Sequence, residues 1–77
     1  MEERAEITTV DTGDLNAMAR WARGMYRGQT VAHLASIWGI EPTMEAVLAE
    51  VGKGFPDPAR KIVVKVAEKE LRKAKNR

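Results

Sequence analysis

The sequence predicts an all-α protein, a small four-helix domain preceded by an extended N-terminal arm. Three observations carry that expectation. Four segments place apolar residues three and four positions apart. The joints between them are short and carry glycine, proline and capping residues. The only β-leaning run is Glu6-Ile7-Thr8-Thr9-Val10, with no second run to pair with. Residues 1–10 are read as the arm, with a strand paired to another chain as its alternative. Residues 11–77 form a single helical domain, with helices over about 13–27, 31–38, 42–51 and 58–74.

At the first helix, Thr12 supplies a capping hydroxyl and Asp14 an acid in the first turn, where the helix dipole favours it. Leu15, Met18, Ala19, Ala22, Met25 and Tyr26 then make one apolar face. Asn16, Arg20, Arg23 and Arg27 occupy a narrow arc beside it, and Trp21 borders the other flank. Gly28 is the expected stop.

Thr30 caps the second helix, whose inner face is Val31, Leu34, Ala35 and Trp38, with Ile37 at its margin and His33 outward. Gly39 suits the left-handed residue that ends a helix, and Ile40 folds back on the last turn. Pro42 is expected at the first position of the third helix, where a missing N–H costs nothing. Met44, Val47, Leu48 and Val51 face inward there.

The stretch Gly52-Lys53-Gly54-Phe55-Pro56-Asp57-Pro58 is a dense turn signal, pinned to the core by Phe55. Asp57 caps and Pro58 opens the fourth helix. Its inner face is Val63, Val66, Ala67, Leu71 and Ala74; its outer face is Lys61, Lys65, Lys69, Arg72 and Lys73. These segments close into a bundle.

Seventy-seven residues make one domain, and the chain has no cysteine to staple it. A chain this short buries only about 60% of its unfolded surface, so self-association, as in a homodimer, or docking on another protein is expected. No apolar run approaches the roughly 20 residues of a membrane span, and the acidic N-terminus lacks a signal-peptide core. The chain is therefore expected to be soluble and cytoplasmic, with no membrane partner.

The formal net charge is only +2, but it is unevenly placed. Residues 1–57 hold nine acids against five bases, net −4; residues 58–77 hold eight bases against two acids, net +6. The basic end is the part suited to a polyanion.

Catalysis has little to work with. His33 is the only histidine and lies outward on a short helix. No histidine or acid cluster has metal-ligand spacing, and Gly52-Lys53-Gly54 lacks a phosphate-loop frame. A non-enzymatic protein without a cofactor is expected.

From Thr30 to Val51 the chain resembles the helix-turn-helix of small bacterial and phage repressors. Leu34, Ala35, Trp38, Gly39 and Ile40 carry the resemblance. Alanine lets two helices approach, glycine permits the tight turn, and the apolar residue after it plugs the angle between them. The resemblance implies a helix-turn-helix-like pair in the fold and DNA binding in transcription regulation, with specificity around Thr43. Two departures accompany it. Glu45 stands where that family buries an aliphatic residue. The second helix also turns Glu41, Glu45 and Glu50 outward, whereas base edges are usually read by Arg, Lys, Asn, Gln, Ser or Thr.

The last helix is the better nucleic-acid surface. Lys61, Lys65 and Lys69 repeat every four residues, and Arg72 and Lys73 extend the stripe. A solvated helix face accounts for the same pattern. Arg20, Arg23 and Arg27 form a second stripe able to grip phosphates, though pairing with Glu41, Glu45 or Glu50 is the favoured expectation. The leading function is a nucleic-acid-associated regulatory protein. The alternative is a protein-binding module that uses the acidic middle helix or the arm.

Overall fold

A computed structural model describes residues 13–75 and folds them into four helices: α1 (Leu15–Tyr26), α2 (Val31–Trp38), α3 (Met44–Gly52) and α4 (Ala59–Lys75). Among the described residues there is no strand. The expected arm over residues 1–10 and the Thr12 cap lie outside the described residues.

Three helices begin in the same way. Asp14, Thr30 and Thr43 each sit in extended backbone and accept a hydrogen bond from the amide three residues on, at 3.1 Å. Two of these starts differ from expectation. Asp14 is itself the cap of α1 and does not occupy its first turn. Pro42 precedes the cap of α3 and does not open the helix. A hydroxyl that can accept from an orphan amide fixes the start more firmly than a proline that only tolerates it. The α2–α3 connection therefore runs over residues 39–43.

Helix ends follow two designs. After α1, Arg27 is extended (φ −59°, ψ 128°), Gly28 is left-handed (φ 78°), and the Gln29 amide donates to the Tyr26 carbonyl at 3.1 Å. That is a type II turn, whose third residue favours glycine. The end of α3 repeats it, with Lys53 extended, Gly54 at φ 86° and the Phe55 amide donating to the Gly52 carbonyl at 3.4 Å. By contrast, α2 stops at left-handed Gly39 (φ 69°), and the Ile40 amide reaches back to the Ala35 carbonyl at 3.0 Å. This is the expected glycine cap, with Ile40 folded against the core. At α4, the Asp57–Pro58 peptide is cis and the helix starts at Ala59, one residue later than expected.

α4 is the element the others lean on: α1 and α3 both pack along it, and α2 packs on α3. Its buried row is Ala59, Val63, Ala67 and Leu71, met by Met18, Ala22 and Tyr26 from α1 and by Val47 and Val51 from α3. Leu34 and Ala35 of α2 complete the core.

The expected face of α1 is too wide. Leu15 is 37% and Met25 49% exposed, because only the row Met18–Ala22–Tyr26 is fully covered. Trp21, on the flank, instead packs against Phe55, with ring centroids 5.5 Å apart and planes tilted by 57°. This tilted pair ties the α3–α4 loop to α1, the pinning expected of Phe55.

Candidate nucleic-acid interface

The buried row fixes how α4 is rotated, and rotation decides which cations reach solvent. Lys61, Lys65 and Lys69 lie on the side away from Val63 and Ala67 and are exposed. Successive lysines are one helical turn apart, so the three span about 12 Å along the axis. None of them forms an ion pair among the described residues.

The rest of the expected stripe is engaged. Arg72 Nε donates to Glu68 Oε2 at 3.0 Å, and its guanidinium makes a second bond to the same oxygen. Lys73 Nζ lies 3.4 Å from Glu70 Oε2. Glu70 is 5% exposed, the one buried charged residue among those described. The sequence reading missed it. The signal was its position on the same arc of α4 as Val63, Val66, Ala67 and Ala74. The outer face thus divides into three unpaired lysines toward its N-terminal half and two paired cations beyond them.

Arg20, Arg23 and Arg27 are all exposed, and none forms an ion pair among the described residues. The favoured expectation of pairing with Glu41, Glu45 or Glu50 is therefore corrected. α1 lies along α4 with Met18, Ala22 and Tyr26 inward, which turns the arginine arc to solvent. Glu50 pairs instead with Lys53, at 3.1 Å, and Asp57 with Arg60, at 2.7 Å.

Thr43, expected at the centre of specificity, spends its hydroxyl oxygen capping α3. Glu41 and Glu45 beside it are exposed and carry no ion pair among the described residues. His33 is exposed, and its backbone amide serves the Thr30 cap. Among the described residues no cluster of acids and histidine could hold a metal ion, and no helix is long and apolar enough to cross a membrane. Burial pushes the Tyr26 phenol above its ordinary pKa of 10.0, because the phenolate would lose its water.

Two concavities mark the surface. An open groove of about 620 Å³ runs between α3 and α4, floored by Leu48, Ala49 and Val64. A second, of about 440 Å³, lies where Thr30 and Val31 of α2 meet Thr43 and Met44 of α3 over Leu71.

These features define a small all-α domain with cations along one helix and acids along another. The chain matches no protein-family profile, no curated protein and no solved structure.

Proposed function

We propose that this chain is a non-enzymatic nucleic-acid-associated protein that meets the phosphate backbone with α4. The observation that carries the reading is the row Lys61, Lys65 and Lys69, exposed, one turn apart and unpaired among the described residues. Unpaired lysines can release counterions from a polyanion without first breaking an internal bridge. Arg72 and Lys73 would have to give up Glu68 and Glu70, so their contribution is smaller. Arg20, Arg23 and Arg27 offer a second set of phosphate donors.

A regulatory helix-turn-helix role is the finer form of this proposal. In it α3 is a weak reader of bases, since Thr43 caps its own helix and Glu41 and Glu45 repel flanking phosphates. Those two unpaired acids favour a second reading, a protein partner with a basic surface that docks on α3.

A salt titration against random-sequence duplex separates the readings. Phosphate binding predicts a log–log slope of about −0.9 for each phosphate neutralised. Replacing Lys61, Lys65 and Lys69 by glutamine should reduce the slope by about 2 to 3 and weaken binding alike on all sequences. Affinity that ignores salt, or a slope unchanged in the triple variant, refutes the phosphate role of α4.

A further inference from the structure

The arginine arc of α1 carries a charge that nothing described around it offsets. Residues 15–27 contain Arg20, Arg23 and Arg27 and no acid. All three arginines are exposed, and none has an ion-pair partner among the described residues. Asp14, at the head of the helix, is committed to the Ala17 amide.

The opposite charge stands in the sequence immediately before α1. Residues 1–12 carry Glu2, Glu3, Glu6 and Asp11 against Arg4, a side-chain net of −3 facing the +3 of the arc. Arg20 and Arg27 lie about 10 and 20 Å along the chain axis from Gly13. Glu6 is seven residues before Gly13, a stretch of at most about 25 Å. Glu2, Glu3 and Glu6 therefore have the length to meet any of the three arginines, and a tether this short holds the acids at a local concentration of about millimolar order. Lys61, Lys65 and Lys69 stand on another helix, so pairing on α1 takes nothing from them.

We propose that residues 2–11 act as an intramolecular stand-in for phosphate, their carboxylates holding the arginine arc until nucleic acid displaces them. The proposal rests on the reading of this chain as a phosphate-binding protein and gives that binding a regulation. The lysine row of α4 is open to phosphate at all times; the arginines of α1 are open only in competition with the chain's own acids.

The test uses the full chain, random-sequence duplex and low salt. Glu2→Gln, Glu3→Gln, Glu6→Gln and Asp11→Asn are made together in the natural chain. The same four are made in a chain already carrying Arg20→Gln, Arg23→Gln and Arg27→Gln. Loss of four acids strengthens attraction to any polyanion through net charge, and that part is common to both backgrounds. Release of the arginines is not, so the tightening with arginines present should exceed that without them by at least about fivefold. The exchanged arginines are exposed and unpaired among the described residues, so the fold should be kept, which circular dichroism checks. Equal tightening in both backgrounds overturns the proposal and leaves the lysine row its role. A natural chain whose affinity for duplex ignores salt overturns both, since no phosphate contact is then there to compete for.

Discussion

Gly52 lies so close to Val64 that a Cβ on the glycine would sit 3.1 Å from Val64 Cγ2, and 3.0 Å from Arg60 Cγ. Arg60 can swing away, but valine is stiff about χ1 and belongs to the helix that holds the fold together. The helical terminus of α3 therefore has little room for a side chain where it meets α4.

Gly52→Ala should be destabilising on balance. Overpacking costs about 1 to 3 kcal/mol, against a helix-propensity gain of at most about 1 kcal/mol. Gly24→Ala is the internal control, for Gly24 is helical, exposed and has nothing within 4 Å of a built Cβ. It should stabilise by up to about 1 kcal/mol. Urea denaturation of both variants decides it; equal effects would mean that the α3–α4 approach is not tight.

Trp21 and Phe55 should be energetically coupled. A double-mutant cycle with Trp21→Leu and Phe55→Leu should return about 0.5 to 1.5 kcal/mol of interaction. Without coupling, the loop between α3 and α4 would be held by its own turn alone.

Tyr26 gives stability a particular pH dependence. Its folded pKa is raised by burial, while the unfolded chain ionises near the ordinary 10.0. The folded state thus holds the proton more firmly, so the contribution is intact below pH 10.0 and falls as pH climbs toward the folded value. Tyr26→Phe removes a group that can ionise. Thermal melts of the variant should lose less stability than the natural chain above pH 10.0, and equal losses would count against the buried phenol.

Helix number and order were legible because period and punctuation are local. The turn of Leu34, Ala35 and Trp38 against Gly39 and Ile40 fixed the end of α2 in advance, and that end is as expected. The apolar part of the inner faces of α3 and α4 was equally readable, since Val47, Val51, Val63 and Leu71 stand at helical spacing; Glu70, buried on the same arc of α4, was not. Helix starts were less legible. Between Pro42 and Thr43, or Thr12 and Asp14, composition permits either, and the geometry of one hydrogen bond decides.

The candidate site divides in the same way. That Lys61, Lys65 and Lys69 share a face follows from four-residue spacing in any helix. Which cations stay unpaired does not. It depends on the rotation of α4, which leaves Glu68 and Glu70 in reach of Arg72 and Lys73, and on the placement of α1, which turns its arginines outward.

By itself, then, the chain determined four rods, their greasy sides and a positively charged final helix, because those properties repeat over a few neighbouring residues. Only tertiary structure decided that Gly52 lies tight against Arg60 and Val64, that Glu70 is buried and that a groove lies between α3 and α4. The reason is physical. Each of the three depends on the separation and rotation of two helices distant in sequence, and those are set by packing across the core.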